Sequence, residues 1–97
     1  MASHGEIDQR SLRLAREVAS RIDLDLRLLD RVKAWASRHT APAIVEWQSI
    51  LRLPWAEVRA ILLDPGDEGQ RLRQSSPFVG ILSPRERWRI YSETPPT

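Results

Sequence analysis

Residues 11–39 read SLRLAREVASRIDLDLRLLDRVKAWASRH, and this segment determines the expected fold class. It contains neither Gly nor Pro, and apolar residues recur every three or four positions at Ala15, Val18, Ile22, Leu26, Leu29, Val32 and Ala36. That spacing places them on one face of an α-helix. The segment therefore predicts either one long helix or a hairpin of two. We favour two, because 29 residues make a long helix for a chain of 97. Asp23 is the expected N-cap of the second helix, which would begin at Leu24.

Two short helices are predicted between residues 40 and 63. Thr40 is the expected N-cap of the first, and Pro42 would stand in its first turn, where the missing N–H of proline costs nothing. Pro54 marks the boundary between the two helices. Apolar residues at helical spacing then predict the second helix: Trp55, Val58, Ile61 and Leu62.

The last third of the chain is punctuated by turn and capping signals. Residues 64–67, DPGD, predict a type II turn because Pro takes its second position and Gly its third. Asp67 is then the expected cap of a short helix ending at Gln74. The apolar connector PFVGIL, residues 77–82, is expected to lie across a helix pair and close the core. Residues 83–86, SPRE, form a capping box with proline at its first helical position, which predicts a final helix up to about Tyr91.

The composition indicates one small all-α domain, a bundle of five to six helices. A chain of 97 residues with 41% apolar content can build a single modest core. We expect a flexible tail at residues 1–7, one helical domain at residues 8–91 and a disordered tail at residues 92–97. No apolar run approaches the roughly 18 residues that span a membrane, and no secretory signal is evident. A cytoplasmic protein without a membrane segment is therefore expected.

The sequence offers little for catalysis. His39 is the one histidine outside the predicted tails, and a single His beside a helix end is usually a cap or a partner of the helix dipole. Asp23 and Asp25 are two residues apart, so on a helix they point in different directions and cannot share a proton or a metal. The chain has no cysteine, and the carboxylates of residues 64–68 lack the spacing of a calcium loop. We therefore expect no enzyme, no cofactor, no metal site and no small-molecule substrate.

The candidate binding residues lie between residues 71 and 91, where five arginines and one glutamate give a net charge of +4. Arg and Trp are enriched at protein interfaces. The predicted function is a small non-catalytic regulatory or adaptor protein that binds a protein partner or forms a homodimer, as an antitoxin-like or accessory subunit does. In the alternative, Trp88 and Tyr91 pack into the core while the arginines are solvated or pair with the acidic segment before them, and the role of the stretch is structural. The predicted partner-binding residues are Arg71, Arg73, Arg85, Arg87, Trp88 and Arg89.

The alternative function is DNA binding by a transcriptional regulator with a helix-turn-helix at residues 44–63. Its apolar skeleton would be Leu51, Leu53, Val58 and Leu62. Residues 53–70, however, carry one arginine and four carboxylates, a net charge of −3. DNA phosphates would be repelled by such a segment, so backbone contacts would have to come from the C-terminal arginines.

Overall fold

A computed structural model of the protein describes residues 4–93, with the side chains of residues 9–78 and 80–92. No strand occurs within residues 4–93, and the prediction of a small all-α bundle is confirmed. The elements in chain order are α1 (His4–Leu24), α2 (Arg27–Ser37), α3 (Pro42–Ile50), α4 (Trp55–Leu62), α5 (Asp67–Arg73), a 3-10 helix (Pro77–Ile81) and α6 (Pro84–Glu93).

The N-terminal segment forms two helices, as favoured from the sequence, but the break lies later than predicted. α1 continues through Asp23 to Leu24, and α2 begins at Arg27. Asp25 marks the junction, because its Oδ1 accepts the backbone N–H of Arg27 at 3.1 Å. The prediction that Asp23 caps the second helix is therefore wrong. Leu26, which falls in the break, is 58% exposed and leaves the apolar face that the periodicity predicted.

Two other predicted caps are also wrong. Ala41 precedes α3, without a side-chain hydrogen bond from Thr40, although Pro42 does open the helix. Residues 64–67 do not form a type II turn, since that turn needs a positive φ at Gly66 and the observed φ is −76°. Instead Asp64 Oδ1 accepts the Gly66 N–H at 2.9 Å, and Gly66 rather than Asp67 is the N-cap of α5.

The outer helices extend beyond the predicted domain limits. α1 begins at His4, inside the segment expected to be a flexible tail, and α6 ends at Glu93, two residues inside the second expected tail. The rest of those tails, residues 1–3 and 94–97, lies outside the described residues. The division into one domain at residues 8–91 stays a prediction.

The core is centred on Trp47 and Phe78, whose rings meet edge to face with centroids 5.5 Å apart. Both side chains are essentially inaccessible to solvent, as are Ile22, Val58 and Leu62. Phe78 comes from the apolar connector, and the 3-10 helix in that connector packs against α1 and α2. The connector thus closes the core as predicted.

The capping box of α6 is present as predicted. The Ser83 N–H donates to Glu86 Oε1 at 3.0 Å, and the Glu86 N–H donates to Ser83 Oγ at 3.1 Å. Glu86 also forms an ion pair with Arg21 of α1. Arg21, near the end of α1, contacts the first turn of α6, and Arg10, near the start of α1, contacts Tyr91 near the end of α6. The two helices therefore run antiparallel.

Within residues 4–93, no helix combines the length and the apolar character needed to cross a bilayer.

The Glu86→Gln variant should be less stable than the wild type at neutral pH, with a difference that disappears in acid. The Ser83 N–H and the Arg21 guanidinium hold the pKa of Glu86 below its usual range. Because the pKa of Glu86 is lower in the folded state than in the unfolded state, where it is about 4.3, its ionised form stabilises the fold above that pH. This stabilisation is lost as the pH falls through the folded-state pKa. Glutamine can still complete the capping box but cannot ionise. Urea denaturation from neutral pH to about pH 3 measures the difference.

The matched control is Glu57→Gln, because Glu57 is exposed on α4 and forms no ion pair with the described side chains. Its curve should follow that of the wild type. A Glu86→Gln deficit that stays constant across the whole pH range would contradict an ionic role for Glu86.

Candidate functional site

The outward face of α6 carries three of the six predicted binding residues. Ile90 is buried against the rest of the fold, and Glu86 is half-buried. The opposite side of the helix is exposed and consists of Arg85, Trp88, Arg89 and Ser92. These positions follow the spacing of one helical face, so α6 presents an indole between two guanidinium groups.

Trp88 is the most exposed aromatic residue that the structure describes, at 71%. It lines a shallow hollow with Tyr91, Ser92 and Arg10 of α1. The Cζ atom of Arg10 lies 6.0 Å from the centre of the Tyr91 ring, at the outer limit of a cation–π contact. The first turns of α1 therefore extend the aromatic face of α6.

α1 adds further positive charge where it packs against α6. Arg13 and Arg16 are exposed and, with Glu17, border a second hollow whose floor is Ile90. Glu17 is already paired with Arg21. We call this area the α1–α6 basic surface; it comprises Arg10, Arg13, Arg16, Arg85, Trp88, Arg89 and Tyr91. Among the described side chains, its five arginines have no carboxylate partner, so their charge faces solvent.

The two arginines predicted on α5 do not join this surface. Arg71 is held by two carboxylates, Glu46 of α3 at 2.8 Å and Glu68 at 2.7 Å, which raise its pKa. Arg73 is only 5% exposed and donates from Nη1 to the backbone oxygens of Leu62 (3.1 Å) and Asp64 (2.5 Å). Arg71 thus links α5 to α3, and Arg73 fastens the end of α4.

Arg87 lies beside the α6 face and not on it. The residue is half-buried and borders a cavity of about 130 Å³ between α1 and the 3-10 helix, together with Leu14 and Phe78. The sequence did not point to Arg10, Arg13 or Arg16 as site residues. Their spacing of three along α1 is visible in the sequence, but the place of Arg10 beside Trp88 and of Arg13 and Arg16 beside Ile90 depends on how α6 docks.

The side chains considered for catalysis have structural partners. The His39 ring stacks on Trp35 with centroids 3.9 Å apart, and its Nδ1–H donates to the Trp35 backbone oxygen at 2.8 Å. Asp23 accepts the Trp55 indole N–H at 2.7 Å and pairs with Arg59 of α4. The indole first and the guanidinium second lower the pKa of Asp23. Within the described part of the chain, no three His, Asp or Glu residues cluster as metal ligands would.

In the predicted helix-turn-helix segment, few exposed side chains of α4 could contact DNA. Residues 51–54 separate α3 from α4. The exposed positions of α4 are Ala56, Glu57 and Ala60, and its one arginine, Arg59, is bonded to Asp23. A recognition helix reads base edges with exposed polar or basic side chains near its N-terminus. α4 offers a carboxylate there, so this observation weighs against DNA reading by α4.

No protein-family model, curated protein or solved structure matches this chain. Its function is therefore inferred from its own side chains.

Proposed function

We propose that the protein is a small non-catalytic regulatory or adaptor protein whose α1–α6 basic surface binds an acidic segment of another protein. The observation that carries this proposal is the exposure of Trp88 between Arg85 and Arg89, on a helix that is capped and anchored at its start. An antitoxin-like or accessory-subunit role would use such a surface.

Burial of Trp88 by a partner would be a large part of the binding energy. A tryptophan buries about 150–250 Å² when it is packed, and the exposed part of Trp88 corresponds to on the order of 3 kcal/mol at about 25 cal/mol per Å². The arginines on either side can each bind a carboxylate through two parallel N–H groups. An aromatic anchor flanked by arginines is the composition of a binding hot spot.

The charge of the surface favours a different protein over a second copy of this chain. In a two-fold dimer through this surface, the same five arginines would face one another. Like charges brought together at an interface are unfavourable, whereas an acidic partner would be attracted and oriented. The homodimer predicted from the sequence would therefore need another face of the molecule.

The triple variant Arg85→Ala/Trp88→Ala/Arg89→Ala should lose its protein partner. Affinity purification from the native cells, followed by mass spectrometry, measures which proteins the intact chain and the variant recover. We expect recovery of the specific partner to fall by about ten-fold or more, because an interface hot spot contributes at least about 2 kcal/mol. The matched control removes two cations and one exposed apolar side chain elsewhere, with Lys33→Ala/Val45→Ala/Arg52→Ala, and should behave as the intact chain.

Equal recovery by the intact chain and the triple variant would contradict the proposal. A second contradicting result comes from titration with random duplex and single-stranded DNA at two salt concentrations. Arginine and exposed indole can also contact phosphate and stack on bases. DNA binding that weakens steeply with salt and is lost in the triple variant would assign this surface to nucleic acid.

A further inference from the structure

A groove between α2 and the 3-10 helix is separate from the α1–α6 basic surface. Its volume is about 330 Å³. One wall consists of Arg31 and Trp35 of α2 with Arg38, the residue that follows α2, and the other includes Gly80 and Ile81 of the 3-10 helix. Arg31, Trp35 and Arg38 are spaced by four and three positions, so they form one stripe with the indole between the arginines.

Two side chains of the groove wall, Trp35 and Arg38, have partners within the fold. Trp35 is 38% exposed and is stacked on His39, which is itself hydrogen-bonded to the Trp35 backbone. The Nε–H of Arg38 donates to the Ala34 backbone oxygen at 3.2 Å. Neither Arg38 nor Arg31 is paired with a carboxylate among the described side chains. An aromatic wall thus lies between two positive charges that have no carboxylate partner there.

Gly80 leaves room in this groove that the fold does not require. A Cβ atom at Gly80 would meet no other atom within 4 Å, and no described glycine has a positive φ. A side chain at this position is therefore compatible with the backbone. The missing side chain leaves open space at the wall of the groove that Trp35 also lines.

We propose that this groove is a second binding site, which takes an acidic peptide segment carrying one large apolar side chain. A cavity of about 150 Å³ already holds a benzene ring, so a groove of 330 Å³ accommodates a leucine or phenylalanine side chain with part of its backbone. The apolar side chain packs on Trp35 and Ile81. Carboxylates on either side of it pair with Arg31 and Arg38, whose charge is complementary to theirs.

A second copy of this chain fits the groove less well than such a partner. Among the described side chains, the most exposed large apolar one is Leu24, at 89%, in the corner Leu24-Asp25-Leu26. The Asp25 carboxylate of this corner is already paired with Arg27 at 2.9 Å. Insertion of this corner would bring Arg27 toward two other arginines, which is unfavourable.

The test is a titration of the ¹⁵N-labelled protein with the acetylated, amidated peptide Glu-Glu-Phe-Glu-Glu, followed through the tryptophan indole N–H signals by NMR. Each of the four tryptophans reports on a different place, with Trp35 in the groove, Trp88 on α6 and Trp47 in the core. We expect a saturable shift of the Trp35 signal. The same peptide with lysine in place of glutamate should give none.

Gly80→Leu should fill the groove and weaken peptide binding by about ten-fold or more, the loss expected when one apolar side chain is no longer buried. Gly80→Ala adds one methyl group and is the matched control. Arg31→Glu/Arg38→Glu should abolish the shift, whereas Lys33→Glu, on the opposite face of α2, should retain it. An unchanged Trp47 signal confirms that each variant is folded.

Equal affinity of the Gly80→Leu or the Arg31→Glu/Arg38→Glu variant and the wild type would overturn the proposal, as would an unmoved Trp35 signal. A shift of Trp88 alone would assign the peptide to the α1–α6 basic surface and would also overturn it. The substitutions that test the two sites lie on different elements, so the proposed function can fail while this inference stands, and the reverse.

Discussion

Trp47→Ala is expected to lower the free energy of unfolding by about 3–5 kcal/mol, the cost of removing a large buried aromatic side chain. Trp47 has no exposed surface and packs on Phe78. Its indole N–H donates to the Leu72 backbone oxygen at 2.9 Å, which fastens α3 to α5. The substitution opens a cavity and removes the hydrogen bond at once. For a chain of this size, that is a large part of a total stability of about 5–15 kcal/mol.

Urea denaturation followed by circular dichroism measures this change. Trp88→Ala is the control, because Trp88 is 71% exposed and its removal should change stability by no more than about 0.5 kcal/mol. Trp47→Phe should fall between the two. It keeps much of the packing but loses the indole hydrogen bond, at a cost of about 1 kcal/mol, since the Leu72 oxygen still accepts the Ser75 N–H at 3.2 Å. A Trp47→Ala variant that loses less than about 1 kcal/mol would contradict this description of the core.

Gly69→Ala is the second large expected effect, and its sign is the reverse of the usual one. In the interior of a helix, alanine is normally more favourable than glycine by about 1 kcal/mol. At this position of α5, however, a Cβ atom would lie 1.9 Å from the backbone oxygen of Asp64. The backbone would have to move apart, and the Asp64 oxygen also accepts a hydrogen bond from Arg73. We expect destabilisation by about 3 kcal/mol.

Thermal and urea denaturation of Gly69→Ala and Gly80→Ala form a matched pair. The methyl group at Gly80 meets open space, so that variant should remain within about 0.5 kcal/mol of the wild type. If Gly69→Ala is as stable as the wild type, the close approach of α5 to the end of α4 is not rigid.

The helices were predictable because their signals are local. The three-or-four periodicity of residues 11–39 and the prolines at positions 42, 54 and 84 are present in the sequence. The capping box at residues 83–86 was correct for the same reason, since both of its hydrogen bonds lie within four residues. The caps at Asp23 and Thr40 were wrong. Asp23 binds Trp55 and Arg59, more than thirty residues away, and no local rule shows that competition.

The candidate site was only partly predictable. Arg85, Trp88 and Arg89 could be placed on one helix face from their spacing. The prediction that Arg73 binds a partner rests on its place in the basic segment of residues 71–91. Arg73 can be buried because it donates hydrogen bonds to two backbone oxygens at the end of α4. Those oxygens come within reach of Arg73 only because α4 packs against α5. The groove beside Trp35 depends likewise on where the 3-10 helix settles.

The antiparallel arrangement of α1 and α6 places both ends of the described chain beside the α1–α6 basic surface, since Arg10 approaches the Tyr91 ring to 6.0 Å. An affinity tag fused before His4 or after Glu93 would project from the fold near Trp88 and would compete with a partner for the α1–α6 basic surface. An epitope inserted between Thr40 and Ala41, in the exposed connection from α2 to α3, avoids that interference. A circular permutant opened there, with Glu93 joined to His4 by a short linker, would carry both of its new termini in that exposed connection.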